Sequence, residues 1–182
     1  MNINVDLRNK IVIAEKRLHL SLLATKNSIN VFVESGTYYG DTSAYMIQFV
    51  SEIHSIELSP QLFAFSKNKF SRHLNVHLHH GDSGEVLPDL MRSIDQRALV
   101  FLDAHYSKDE TAQGPKDSPL LEELRSFQGL QISNHIIVID NLLDCFVGLK
   151  DYPSVGQIID EILKINRSYQ ITIKDDFLQA IT

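Results

Sequence analysis

The chain has 182 residues with a formal net charge of −6, and 43% of its residues are hydrophobic. This length predicts one domain, residues 1–182, with one core. The acidic balance excludes an extended nucleic-acid surface, which would need a basic stripe. One cysteine, Cys145, excludes an internal disulfide framework, and we find neither a signal-peptide pattern nor an apolar run of about 18 residues. We therefore expect a cytoplasmic protein that binds neither nucleic acid nor membrane.

The predicted elements alternate along the chain. An amphipathic helix over residues 6–26, in an N-terminal segment 1–28, precedes a core formed by residues 29–182. The apolar face of that helix is expected to consist of Leu7, Ile11, Ala14, Leu18 and Leu22. Further helices are predicted at 41–51, 59–70, 83–94, 117–128 and 154–165, and strands at 29–34, 53–57, 75–80, 98–103, 135–140, 169–174 and 177–182.

Two of the predicted strands, 98–103 and 135–140, are almost continuously apolar. Such runs are typical of central strands in a parallel sheet, which are buried on both faces. The last two strands are separated only by Asp175 and Asp176, which favours a hairpin. The pattern predicts an α/β fold whose parallel sheet closes with an antiparallel hairpin.

Acidic residues stand at or just after the ends of five successive predicted strands. They are Glu34, Glu57, Asp82, Asp103 and Asp140. Ligands of open parallel sheets bind beyond the carboxyl ends of the strands, where the connections diverge. We therefore expect these acids to lie along one edge of the sheet, around a ligand.

The first strand leads into "VESGTYYGDT", residues 33–42. A dinucleotide site would use G-x-G-x-x-G, but Tyr38 stands where the second glycine would admit a pyrophosphate. Glu34 would also repel a phosphate, whereas S-adenosylmethionine has a sulfonium, an ammonium group and no phosphate. Glu34 would then lie near the ammonium end, and glycines at Gly36 and Gly40 would let the backbone approach the ligand, with Asp41 or Thr42 fixing the turn.

The next two acids suit an adenosine group. Glu57, 21 residues after Gly36, can accept hydrogen bonds from both ribose hydroxyls, as in nicotinamide and methyl-donor sites alike. Asp82 with Ser83 is placed to meet the adenine amino edge. An equally good interpretation makes Asp82 and Ser83 the cap of the helix that begins at Ser83, and the two roles are compatible.

The ordered series "VESGTYYGDT", "SIE", "GDS", "FLDAHYS" and "IVIDN" resembles the motifs of the class I S-adenosylmethionine-dependent methyltransferases, from about residue 29 to the C-terminus. The resemblance implies a Rossmann-like doubly wound sheet of seven strands in the order 3-2-1-4-5-7-6, with the last strand antiparallel. Tyr38 departs from the middle glycine of the family's first motif. The cofactor-binding residues so implied are Glu34, Gly36, Thr37, Gly40, Thr42, Glu57, Asp82, Ser83 and Asp103.

A metal site is a further expectation. Asp103 ends one predicted strand and Asp140–Asn141 end the next, and two carboxylates with an amide oxygen suit Mg²⁺. The arrangement is similar to the metal site of catechol and caffeoyl-CoA O-methyltransferases, which implies that these three residues are ligands. The alternative is that both acids merely orient loops or touch the methionine group. Those enzymes carry a lysine base where this chain has Tyr106, so His105 becomes the candidate base, a fourth ligand or a loop-ordering donor.

Three functions remain open on the sequence. The first is O-methylation of a small-molecule hydroxyl, with His105 and Asp103 as catalytic residues and Mg²⁺ assistance as an option. The loop 105–124 resembles methyltransferases of sugar and secondary-metabolite pathways, which suggests that class of acceptor. The second is a nicotinamide-dependent oxidoreductase. The third is a non-catalytic adenosine-binding module whose site a partner or a homodimer mate completes.

Overall fold

A computed structural model describes residues 2–103, 118–146, 151–174 and 176–182. Seven strands form one sheet, and the helices lie on its two faces. The strands are β1 (Val31–Ser35), β2 (Glu52–Glu57), β3 (Val76–His80), β4 (Ala98–Leu102), β5 (Ile136–Ile139), β6 (Gln170–Lys174) and β7 (Phe177–Ile181). The helices are α1 (Asn2–Lys26), α2 (Asp41–Met46), α3 (Pro60–Lys69), α4 (Ser83–Ser93), α5 (Leu120–Arg125), α6 (Leu142–Phe146) and α7 (Val155–Ile165).

The strand order is β3-β2-β1-β4-β5-β7-β6, which confirms the predicted topology. The first five strands are parallel, and β7 is antiparallel to both β5 and β6. The chain moves outward from β1 to β3 and then returns to β4 on the other side of β1. The carboxyl ends of β1 and β4 therefore form the switch point at which ligands of such sheets bind.

The sheet is covered by apolar side chains on both faces, as its central strands predicted. β1, β4 and β5 are buried along their whole length. One core packs the sheet against α4, α5 and α7, and the other packs it against α1 and α2. Cys145 lies in the first core, as a small buried hydrophobic residue would.

Helix starts follow the capping chemistry of the sequence. Ser59 caps α3 ahead of Pro60, and Asp82 caps α4 through a bond from the Gly84 N–H to its Oδ1 of 2.8 Å. Ser154 and Gln157 form a capping box at α7. These polar side chains take up N–H groups that the first turn of a helix leaves without partners.

The predicted orientation of the first helix is wrong. Ile11, Leu18 and Leu22, expected on its buried face, are 50%, 51% and 46% exposed, and Ala14 is exposed as well. The buried apolar side chains are instead Leu20, Leu23 and Ala24. Apolar residues lie on nearly every side of this helix, so spacing alone allows two faces. The contacts of Lys16 and His19 with the end of β5 and with β7 select the one observed.

Three more helices differ from the sequence prediction, and one of them, α5 (Leu120–Arg125), is shorter at both ends than the predicted range 117–128. α2 ends at Met46, five residues before the predicted end, and α6 was not predicted. A turn at Ile47–Phe49 follows α2 and leads the chain back to β2. Within the described ranges, no helix is both long and apolar enough to cross a membrane.

Candidate functional site

The turn that follows β1 has an unusual backbone. Gly36, Tyr38 and Gly40 all adopt positive φ angles, of 83°, 51° and 70°. Glycine takes such angles freely, but for tyrosine the left-handed region is unfavourable, so the surrounding structure must hold Tyr38 there. The N–H groups of Gly36 and Thr37 both donate to the Ile56 carbonyl at 3.0 Å, which joins the turn to the end of β2.

Glu57 is one of the groups that hold this turn. Its Oε2 accepts the Tyr38 N–H at 2.8 Å, and its Oε1 accepts the Ser59 N–H at 2.8 Å. Burial raises the pKa of the Glu57 carboxyl, and the backbone hydrogen bonds oppose that rise. The acid at the end of β2 thus couples the first turn to the start of α3.

The start of α2 is stabilised by a side chain of another helix, α3. Gly40 occupies the N-cap and no side chain caps the helix. Asp41 accepts a 2.6 Å hydrogen bond from the Lys69 ammonium, which also donates to the Tyr39 carbonyl at 2.7 Å. Lys69, the last residue of α3, therefore connects α3 to both Tyr39 and Asp41 and stabilises the turn.

Glu34 is buried at the carboxyl end of β1, with only 2% of its surface exposed. The hydroxyls of Ser43 and Ser55 donate to its Oε2 at 2.6 and 2.8 Å, and Ser55 is its direct partner on β2. No donor in the described ranges reaches the other oxygen. Burial raises the pKa of Glu34 to about 8, so its carboxyl is neutral at pH 7.

A cleft of about 320 Å³ opens beside Glu34, between the first turn, the ends of β4 and β5, and α1. Five of the predicted cofactor-binding residues line it: Glu34, Gly36, Thr37, Thr42 and Asp103. Lys16 and Arg17 of α1, which the sequence did not single out, line its other side. The Arg17 Nε is buried and has no hydrogen-bond partner among the described residues. The cleft thus contains groups of both charges.

The other four predicted cofactor residues, Gly40, Glu57, Asp82 and Ser83, do not line this cleft. Gly40 begins α2, and a Cβ built there would lie 2.7 Å from a ring carbon of Phe70, so only glycine fits. Asp82 serves as the cap of α4, which confirms that alternative and leaves its predicted adenine contact open.

The structure brings together the three residues predicted as metal ligands. The Asn141 Nδ2 donates to the Asp103 Oδ1 at 2.9 Å, and both residues line the cleft beside Asp140. Asp140, however, is bound by the Lys16 ammonium, at 2.7 Å from Oδ1 and 2.6 Å from Oδ2. An ammonium against both carboxylate oxygens and an amide N–H on the other carboxylate do not fit a divalent cation.

The described ranges contain no group of three or more His, Cys, Asp or Glu side chains arranged to hold a metal ion. The predicted base, His105, lies outside the described residues, as do Tyr106 and most of the loop expected to form the acceptor wall.

One buried acid at this edge was missed by the sequence analysis. Glu123 of α5 is 1% exposed, and burial raises its pKa to about 7, although hydrogen bonds with the Ser83 and Ser35 side chains oppose the rise. These bonds link α5 to the end of β1 and to the start of α4. The sequence could have indicated its burial. Glu123 follows Leu120 by three positions and precedes Leu124, which places it on the apolar stripe of a helix.

Comparison with known proteins yields likeness of structure but not of sequence. No protein-family model matches the chain, and no curated protein matches it. The SAH-bound methyltransferase PaMTH1 of Podospora anserina is 16% identical, with a TM-score of 0.59 over 91% of this chain and 76% of that one. The O-methyltransferase of Bacillus cereus in complex with SAH is 16% identical, with a TM-score of 0.62 over 92% and 80%.

A third solved structure belongs to the same group. TomG of Streptomyces achromogenes, an O-methyltransferase involved in tomaymycin synthesis and solved with SAM, is 19% identical, with a TM-score of 0.58 over 93% of this chain and 80% of that one. At these identities the likeness establishes a shared fold. The chain therefore has the Rossmann-like α/β fold, with its reversed last strand, on which these methyltransferases are built.

Proposed function

We propose that this protein is an S-adenosylmethionine-dependent methyltransferase that transfers the methyl group to an oxygen atom of a small molecule. The observation that carries the proposal is the strand order β3-β2-β1-β4-β5-β7-β6, in combination with an acid and a glycine turn at the end of β1. Solved methyltransferases that hold SAM or SAH have the same fold.

The charges of the cleft support a zwitterionic ligand. The methionine part of the cofactor carries an ammonium and a carboxylate, and the cleft offers acids and bases within one space of about 320 Å³. Glu34 presents an oxygen that no described donor reaches, which suits the ammonium. Arg17 presents a buried Nε that no described acceptor reaches, which suits the carboxylate.

The adenosine part would extend from this cleft toward the ends of β2 and β3. Glu57 would accept from the ribose hydroxyls with the lone pairs that the Tyr38 and Ser59 N–H groups leave open. Asp82 and Ser83, at the start of α4, would meet the adenine edge. Tyr38 counts against a dinucleotide, since it occupies the motif position at which a second glycine would admit a pyrophosphate.

When bound, S-adenosylmethionine supplies a methyl group on a positively charged sulfur. The residues of this chain would orient the acceptor oxygen toward that methyl group, so that positioning provides much of the acceleration. Asp103 lies at the end of β4, beside the cleft, and His105 follows it by two positions. We assign proton removal from the acceptor hydroxyl to His105. We assign the orientation of that hydroxyl to Asp103. Sugars and secondary metabolites are the acceptors to screen first.

Ligand binding tests the proposal directly. Calorimetric titration of the full chain with S-adenosylmethionine, SAH and NAD should show saturable binding of the first two and none of the third. Transfer of a radiolabelled methyl group to a panel of small hydroxyl compounds then tests catalysis.

The outcomes are distinct. Binding of NAD without S-adenosylmethionine would refute the proposal in favour of an oxidoreductase. Binding of S-adenosylmethionine without transfer to any acceptor, including protein and nucleic acid, would favour a non-catalytic binding module. Transfer to nitrogen but not oxygen would leave the cofactor assignment intact and overturn the acceptor assignment.

A further inference from the structure

The most informative contact that the sequence motifs did not predict is the ion pair between Lys16 and Asp140. These residues are 124 positions apart in the chain, and the ammonium lies within 2.7 Å of both carboxylate oxygens. The pair is largely enclosed, since the Lys16 side chain is 18% exposed and that of Asp140 is 4% exposed. The ammonium also lies 5.2 Å from the centre of the Phe177 ring on β7.

The Lys16 ammonium lies at the place where the predicted metal ion would bind. Asp103 and Asp140 stand at neighbouring strand ends, and the resemblance to catechol and caffeoyl-CoA O-methyltransferases implies a divalent cation between them. Such a cation needs free carboxylate oxygens and keeps positive neighbours away. Here one carboxylate is bound at both oxygens by Lys16, and the other receives an N–H from Asn141.

We propose that the Lys16 ammonium is a built-in replacement for a divalent cation at the ends of β4 and β5, and that this site binds no metal ion. The inference deepens the proposed methyltransferase function. Only its consequence for the methyl acceptor rests on that function. The metal-free character of the site itself stands on the Lys16–Asp140 geometry.

The consequence concerns the class of acceptor. Two N–H groups of Lys16 are used by Asp140, and no further hydrogen-bond partner for the ammonium lies within the described ranges. Lys16 therefore has one donor left for the cleft that it lines. A divalent ion can chelate a pair of adjacent oxygens, whereas a single N–H binds one. The site would favour an acceptor with a single hydroxyl or phenolate oxygen over a chelating diol.

The test measures metal binding and does not need turnover. Titration of the full chain with Mn²⁺, followed by electron paramagnetic resonance, and with Mg²⁺, followed by calorimetry, should show no saturable site in the wild type. Lys16→Met removes the charge and keeps the length, so Asp140 is released and Mn²⁺ affinity should rise about tenfold or more. Lys26→Met, which removes an exposed lysine at the end of the same helix, should behave as the wild type.

Two further variants identify the site. Asp140→Asn in the Lys16→Met background should abolish the gained binding, and Lys16→Arg, which keeps a cation, should bind no metal. If Lys16→Met does not fold by circular dichroism, Lys16→Leu, which also removes both the charge and the donor to Asp140, takes its place.

Saturable Mn²⁺ binding by the wild type that Asp140→Asn removes would overturn the proposal, and so would equal affinities of Lys16→Met and Lys26→Met. Calorimetry with S-adenosylmethionine on the same preparations reports separately on the proposed function. Failure of one proposal therefore does not imply failure of the other.

Discussion

Replacing Glu34 by glutamine should stabilise the protein and at the same time weaken its binding of cofactor. Glu34 is 2% exposed, and its folded-state pKa is raised from 4.5 to about 8. The unfolded chain releases the Glu34 proton near pH 4.5, whereas the folded chain keeps it to about pH 8. The free energy of unfolding therefore falls as pH rises through this window, by about 1.4 kcal/mol per unit for this group.

The magnitude follows from the same values. A rise from 4.5 to about 8 corresponds to a loss of about 5 kcal/mol of stability at pH 8, as an upper limit for one buried group. Glu34→Gln keeps an oxygen for the Ser43 and Ser55 hydroxyls and does not titrate. The variant should equal the wild type near pH 4.5 and exceed it by several kcal/mol near pH 8.

Urea denaturation at pH values between 4.5 and about 8 measures this difference. Glu85→Gln, which removes an exposed carboxylate in the first turn of α4, is the matched control and should show no such trend. A difference between Glu34→Gln and wild type that does not depend on pH would refute the reasoning about this carboxyl.

The same variant tests the site. An ammonium ligand near Glu34 favours the ionised carboxylate, so cofactor binding at pH 7 should release a proton, which calorimetry in buffers of different ionisation enthalpy detects. Glu34→Gln should lose both this proton release and about tenfold or more in affinity, the effect of a lost charged hydrogen bond. Unchanged affinity would remove Glu34 from the cofactor site.

Three other changes have expected outcomes. Glu57→Ala should lower cofactor affinity by about 10–100-fold, because the proposed ribose partner and the support of the first turn are removed together, and calorimetry that shows unchanged affinity would contradict this. Gly40→Ala should destabilise the chain by more than Gly129→Ala in urea denaturation. Both glycines have a positive φ, but only at Gly40 would an added Cβ lie 2.7 Å from the Phe70 ring. Equal losses of stability in the two variants would exclude this clash. Ser154→Ala should cost about 1 kcal/mol of stability through the lost cap of α7, with cofactor affinity unchanged.

The architecture could be predicted from local patterns because the decisive residues are contiguous. The apolar runs at β4 and β5 predict buried parallel strands, and Ser59–Pro60 predicts a helix start, whatever the rest of the chain does. The reversed last strand follows from the short connection between β6 and β7 and from the family resemblance.

The site was predictable only in part. Glu34, Asp103 and Asp140 were found because each ends a strand, and parallel strands end at one edge. The partners of these acids come from other elements, namely Ser55 of β2, Asn141 after β5 and Lys16 of α1, and no local pattern predicts the contacts. Glu123 could have been noticed as an acid on an apolar stripe, but its contacts with Ser35 and Ser83 depend on how α5 packs.

The first helix shows most clearly where sequence reasoning ends. Its helical character is local, but the face that packs on the sheet is decided by contacts with β7 and the end of β5, which the chain forms only in the folded state. The sequence alone determined the α/β class, the order of elements and the acids at the strand ends, because these rest on patterns within a few residues. Tertiary structure alone decided that Lys16 meets Asp140 and that burial raises the pKa of Glu34, because both depend on burial and on side chains far apart in the chain.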